Sequence, residues 1–326
     1  MTQAATPAPA KAPGGESLLT VIVAFSANAI IAIAKTVAAV LSGSASMVAE
    51  AAHSWADTGN EIFLLIAEKR AGRPRDTDHP FGFGREAYVW SMFAAFGLFT
   101  VGAVVSIAHG IQQLGAGEES GDYLLGYLVL GVAFVLEGVS FLQALRQTRG
   151  ASRRIGMRTL GYINITSNPT LRAVFAEDAA ALIGLVIAAL GMVLHQVTGE
   201  AAYDAIGSIL VGLLLAVVAV FLIRRNRDFL TGKPGSDRLR RLVLADLQAD
   251  PRVAAVTFLH LEYVGADRVL VLASLDLVGD DDEPTLTTEH QAIEDRLEQL
   301  PFVERAFVTL PRPGAQPLPP AQSEAR

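Results

Sequence analysis

Six stretches of the chain stay apolar for about 20 residues or more, the length an α-helix needs to cross a bilayer. They run from Leu18 to Leu41, Ala45 to Ala67, Ala87 to Leu114, Tyr123 to Leu145, Pro169 to Val197 and Ala202 to Ile223. The connectors between them sort by charge. One set holds Lys69, Arg70, Arg73, Arg75 and Arg85, then Arg146, Arg149, Arg153, Arg154 and Arg158, then Arg224, Arg225 and Arg227. The other set holds Glu118, Glu119, Asp122, Glu200 and Asp204, with no Lys or Arg. The positive-inside rule puts the first set, and with it both termini, in the cytoplasm.

From about Lys233 the hydrophobic period changes. "SDRLRRLVLADLQAD" opens on a Ser236 or Asp237 cap and repeats as a helix. "VAAVTFLHLEYVG" and "DRVLVLASLDLVG" alternate like two strands around a turn at Gly265, Ala266 and Asp267. "EPTLTTEHQAIEDRLEQL" reads as an amphipathic helix with Pro284 near its start, and "FVERAFVTLPR" as a short strand. The predicted fold class is an α-helical membrane protein with six transmembrane helices plus a small cytoplasmic α+β (αββαβ) domain. Its parts are a disordered N-terminal tail (1–16), the transmembrane domain (17–232), the cytoplasmic domain (233–311) and a disordered Pro-rich tail (312–326).

Composition agrees with a membrane protein. Of 326 residues, 51% are hydrophobic and only 18% are charged, against about 25% in soluble domains. The mean hydropathy is +0.39. The chain has no Cys, which excludes disulfide scaffolds, thiolate metal sites and Cys nucleophiles. A net charge of −7 and the lack of a basic domain argue against nucleic-acid binding. Residues 1–16 lack the apolar core of a signal peptide, so the first hydrophobic helix is expected to direct insertion.

Polar residues inside the spans carry the chemistry. In "SASMVAEAAHSWADTGNEIFLLIAEKR", Glu50, His53, Asp57 and Asn60 are three or four residues apart and share one helix face. Ionisable groups in lipid cost roughly 2.5–3.5 kcal/mol each on insertion scales. His53 and Asp57, at i and i+4, are within reach of one divalent cation, and a second helix must supply more ligands. The fifth span offers Glu177 and Asp178. A structural His–Asp hydrogen bond is the plainer alternative, but several buried acids need a shared counter-charge. Glu50 is open between the spine and a solvated vestibule. Asn28, Lys35, His109 and Glu137 are read as structural polar groups, with Lys35–Glu137 a possible pair.

These features resemble the cation diffusion facilitator family. "SGSASMVAEAAHSWAD" is similar to that family's entry into its second helix, and "DHPFGFGREA" to the loop between its second and third. The resemblance covers about Ser17 to Pro311. It implies homodimeric export of a divalent metal, mostly zinc, in exchange for protons. It also implies a tetrahedral site with two positions on helix two, matching His53 and Asp57, and two on helix five. Asp178 takes the helix-five Asp position. The usual His position falls on Val174, which cannot ligate, so Glu177, Asn60 or a water is left for the fourth place. An adjacent Glu-Asp is similar to the branch that includes the mitochondrial zinc transporter nine of eukaryotes. One His with carboxylate oxygens suits Zn²⁺, and also Mn²⁺, Fe²⁺ or Co²⁺.

Other metal positions of the family are thinned out. Phe83 replaces a loop His, leaving Asp76, Asp78 and His79. In the cytoplasmic domain His260 and Asp276 remain, with Ser274 two positions before Asp276. His290 reads as a surface residue, and Gly279 to Glu283 as a solvated acidic loop. The expected function is a secondary active transporter, not an enzyme. It would carry divalent metal against protons across the cytoplasmic membrane, with no cofactor and with lipid and a second copy as partners. A non-transporting membrane metal sensor or scaffold is the alternative. A metal-dependent membrane hydrolase is disfavoured, because no second acid–base set is visible.

Overall fold

A computed structural model describes residues 18–115, 123–279 and 282–321. The expected N-terminal tail, the acids Glu118, Glu119 and Asp122, and residues 322–326 of the C-terminal tail lie outside them. The first long helices are α1 (Leu18–Ser42) and α2 (Ala45–Ala71). A third hydrophobic segment is interrupted: α3 (Glu86–Ala94) passes through a π-helical turn (Ala95–Phe99) into α4 (Thr100–Leu114). Then come α5 (Tyr123–Arg154), a short α6 (Thr159–Ile165), α7 (Pro169–Thr198) and α8 (Ala202–Leu230). Among the described residues, five of these helical segments are long and apolar enough to cross a membrane. The one left out is α2. It has the length, but the polar stripe of Glu50, His53, Asp57, Asn60 and Glu61 lowers its hydropathy. Two further differences concern boundaries. α5 runs nine residues beyond Leu145, and α6 forms where a plain loop was expected. Arg146 to Arg154 keep the helical period, and charge alone does not end a helix.

Capping explains where α2 and α7 start. Ser44 accepts from the Met47 amide at 3.1 Å. Asn168 does the same for Leu171 at 3.0 Å, with Pro169 at the first turn. Asp204, expected as a loop charge, is instead buried at the start of α8. It accepts from Ser44 Oγ (2.9 Å), Ala45 N (2.5 Å) and Ser46 N (3.3 Å). A carboxylate thus closes the N-terminus of α2, where free amides and the helix dipole favour negative charge.

Past the membrane helices the chain forms α9 (Asp237–Gln248), β1 (Val253–Gly265), β2 (Arg268–Leu277), α10 (Glu283–Glu298) and β3 (Val303–Thr309). β2 is central, antiparallel to β1 and parallel to β3. Val243, Leu247, Ile293 and Leu297 from the helices pack on Val256, Leu261, Val271 and Leu275 of the sheet. The C-terminal tail does not run free as expected. Leu318 N donates to Val256 O at 2.7 Å, Ala321 N donates to Gln248 Oε1 at 3.0 Å, and Leu318 packs on the core. Leu318 supplies an amide and an apolar side chain amid prolines that have no amide to give.

The sheet domain is fastened to the membrane helices. Tyr88 of α3 stacks on Phe229 of α8, ring centroids 5.0 Å apart, and Phe229 meets Tyr263 of β1 edge-on at 5.5 Å. The buried Arg172 stands over Phe229 and donates to Thr166 O and Asn226 Oδ1. Gly84 lies so close to the β1–β2 hairpin that a Cβ there would stand 2.6 Å from Val264 O.

Candidate metal site

The spine of α2 faces α1, α5 and α7 across a cavity of about 290 Å³. Its lining includes Asn28 from α1, Ser54, Asp57 and Glu61 from α2, Glu137 and Ser140 from α5, and Val174, Glu177 and Asp178 from α7. Asp57 and Glu61 are one turn apart, so both reach the same side. Val174 and Asp178 repeat that spacing opposite them. Five carboxyl groups therefore share one cavity. Like charges that share a cavity repel one another, and the repulsion is stronger in a protein interior than in water.

Neighbours hold some of these acids. Asn60 Nδ2 donates to both oxygens of Glu177 at 2.7 Å. Ser140 Oγ donates to Asp178 Oδ2 at 2.9 Å. Asn28 donates to Glu61 Oε1. The other oxygens are left over: Asp57 Oδ1, Glu61 Oε2 and Glu137 Oε2 are buried and have no hydrogen-bond partner among the described residues. Buried polar atoms are normally paired, so such a concentration points to a ligand.

His53 lies behind the cavity wall. Its side chain is 1% exposed, with Nε2 3.4 Å from Asp57 Oδ2, and among the described residues neither ring nitrogen has a hydrogen-bond partner. Gly184 of α7 makes room for this layer: a Cβ there would stand 2.5 Å from Glu50 Oε1 and 3.8 Å from His53 Nδ1. Glu50 is not a vestibule residue. It is fully buried and pairs with Lys35 at 2.9 Å. Lys35 also pairs with Glu137 at 3.0 Å.

Asp57, Glu177 and Asp178 are thus brought together around one cavity, with His53 against Asp57. Asn60 engages Glu177 through its amide nitrogen. Among the described residues no three His, Asp or Glu side chains stand close enough to hold one metal ion in this arrangement. Closure around an ion requires the side chains to leave their present partners. Glu61 and Ser140 went unread in the sequence. The signal was present, since Glu61 is i+4 from Asp57 and Ser140 is i+3 from Glu137.

The secondary positions are not assembled. Asp76 and His79 form an exposed local turn: the His79 amide donates to Asp76 Oδ1 at 2.7 Å, and Nδ1 is 3.1 Å from the same oxygen. That hydrogen bonding holds the Asp76 carboxyl below its usual range, although partial desolvation opposes it. The His79 ring lies on Phe83, centroids 4.0 Å apart, and Asp78 is exposed beside it. His260 and Asp276 do not meet. His260 pairs with Leu272 and Asp276 with Ala255, so four positions of β2 separate them, roughly 13 Å along a strand. His260 is nearer Glu262, at 4.0 Å. His290 is half-buried, and Asp282 caps α10 by accepting from Thr285 N at 3.2 Å. Asp280 and Asp281 lie outside the described residues.

Residues 21–231 match the cation efflux transmembrane domain family. The chain is similar to metal tolerance protein C4 of Arabidopsis thaliana, 37% identical over 238 residues, which are 73% of this chain and 52% of that one. It is similar to the mitochondrial proton-coupled zinc antiporter SLC30A9 of Xenopus laevis, 37% identical over 260 residues, 79% of this chain and 46% of that one. An uncharacterized transporter of Methanocaldococcus jannaschii is 25% identical over 284 residues, 86% of this chain and 93% of its own length. The chain spans about half the length of the first two relatives.

Proposed function

The chain belongs to the cation diffusion facilitator (cation efflux) family, and from that premise we propose that it exports a divalent metal ion, zinc first, by exchange with protons. The observation that carries this reading is the cavity lined by five carboxyl groups, with Asp57, Glu61 and Glu137 oxygens that have no hydrogen-bond partner among the described residues. A dication compensates clustered carboxylates better than any single side chain can. The printed function of the Xenopus relative, proton-coupled zinc antiport, supports both cargo and counter-ion.

In this reading α2 is the sixth span, and its polar stripe is the transport path. His53, Asp57 and Asp178 bind the cargo, with Glu177 and Asn60 beside them and Glu61 as a further oxygen donor. His53 must be neutral to ligate, so a proton arriving from the far side competes with the metal. The basic loops support both termini on the cytoplasmic side of the cytoplasmic membrane. The free sheet face bearing Phe258, Leu272 and Phe307 beside a cavity of about 550 Å³ supports a homodimer through the sheet domain.

The test is uptake into everted vesicles across several divalent metals, with and without a pH gradient. Gradient-driven zinc accumulation is expected. Binding without flux under every gradient would replace the transporter reading with a membrane metal sensor.

A further inference from the structure

Lys35 is a buried cation beside the cavity that the transport scheme does not use. It sits in the C-terminal half of α1, is 1% exposed, and reaches two carboxylates from different helices: Glu50 Oε2 of α2 at 2.9 Å and Glu137 Oε1 of α5 at 3.0 Å. The two partners differ. Glu137 lines the acidic cavity and has a second oxygen, Oε2, with no hydrogen-bond partner among the described residues. Glu50 does not line that cavity and lies against Gly184 and the His53 layer. One ammonium therefore ties a cavity acid to an acid behind the wall.

We propose that Lys35 is a tethered counter-ion that occupies part of the cavity's cation-binding capacity and so limits how tightly a divalent cargo is held. This rests on the transport reading above. The physical argument is one of charge and reach. Five carboxyl groups around a cavity make a deep trap for a dication, and an exporter must release what it binds. A protein-bound ammonium beside Glu137 withdraws one carboxylate from the ligand set and repels the incoming ion, without leaving with it. A lysine suits this role better than a neutral donor, because its charge acts on the whole cavity rather than on one oxygen.

A merely structural salt bridge makes the opposite prediction, because breaking it loosens α1 against α2 and α5 and weakens whatever the cavity binds. The experiment is zinc titration into the full chain, purified in detergent, by calorimetry. Three variants accompany the wild type: Lys35→Met, Lys35→Arg, and Lys35→Met with Glu50→Gln. The double variant removes equal and opposite charges, so it leaves the net charge of the layer unchanged where Lys35→Met alone fails to fold. Both Met variants are expected to bind zinc at least tenfold more tightly than wild type, because Glu137 is set free in the cavity. Lys35→Arg keeps the charge and should bind as wild type does. Unchanged or weaker affinity in the folded Met variants overturns the proposal alone. Absence of zinc binding in the wild-type chain overturns the transport reading and this proposal together.

Discussion

Asp204 of α8 and Asp57 of α2 both sit among apolar helices, the first buried and the second half-buried, and their surroundings are opposite. Asp204 accepts from a hydroxyl and two backbone amides at the N-terminus of α2, and both of its oxygens are used. Asp57 is about three turns further along α2. It has a histidine at 3.4 Å, and one of its oxygens has no partner. Around Asp204 the backbones themselves come close: a Cβ on Gly191 would stand 3.3 Å from Tyr203 O and 3.4 Å from the Asp204 Cα. Around Asp57 the helices leave a cavity instead. The same residue type in the same bundle is thus a structural clamp in one place and an open binding group in the other. Satisfaction of the carboxylate tells them apart.

The largest effects should come from separating these two roles. Asp57→Ala or Asp178→Ala is expected to reduce zinc uptake at least a hundredfold while the protein inserts and is purified normally. Thermal stability of Asp57→Ala should be unchanged or higher, because removing an unpaired buried carboxyl relieves a desolvation cost. Asp204→Ala should do the reverse. It strands the amides of Ala45 and Ser46 and the Ser44 hydroxyl, a loss of about 3 kcal/mol, visible as a lower unfolding temperature in detergent. A loss of stability in Asp57→Ala equal to that in Asp204→Ala would erase the distinction.

Selectivity sharpens the same comparison with a smaller effect. His53→Asp exchanges a borderline nitrogen donor for a hard oxygen. Zinc should lose roughly tenfold relative to manganese in competition, and an unchanged ratio would remove His53 from the ligand set. Val174→His puts an imidazole into the cavity lining one turn before Asp178. Zinc should bind more tightly there by about the same factor, and a titration showing no gain would mean that this face of α7 does not meet the ion.

Much of this was legible in the chain because helices impose local rules. The stripe Glu50, His53, Asp57 and Asn60 follows from the 3.6-residue period alone, and the Glu177–Asp178 pair stands out against its apolar run. Lys35–Glu137 could be named as a pair, but not the sharing of Lys35 with Glu50. That depends on how α1, α2 and α5 pack, which local period does not encode. Asp204 was hidden for the same reason, since a cap contributed by another helix looks like a loop charge in the sequence. His260 and Asp276 are a case of register. Alternation shows that each is in a strand, while their separation depends on the pairing of β1 with β2, shifted by irregularities near Thr257. Glu61 is different, because its spacing from Asp57 was visible and it was simply passed over.

The smallest expected effect tests whether satisfaction marks structural carboxylates outside the bilayer as well. Asp250, at the end of α9, is buried and accepts from Arg252 Nη2 at 2.7 Å and Nε at 3.0 Å, with Arg296 Nη2 at 3.1 Å. The Arg252 hydrogen bonds, with help from its charge and that of Arg296, hold the Asp250 carboxyl down at about 2. A carboxyl depressed in the folded state stabilises the fold fully above its ordinary value of 3.8. That contribution is lost as pH falls from there through about 2, because the unfolded chain takes up its proton first. Asp250→Asn should therefore lower stability by roughly 2 kcal/mol at pH 7, the scale of hydrogen bonds to a charged group. The gap to wild type should stay constant from pH 8 to pH 5 and close between pH 4 and pH 2. Thermal unfolding of both full chains across that range measures it. A gap that persists at the acid end would mean that Asp250 acts through packing, and that its arginine partners are incidental.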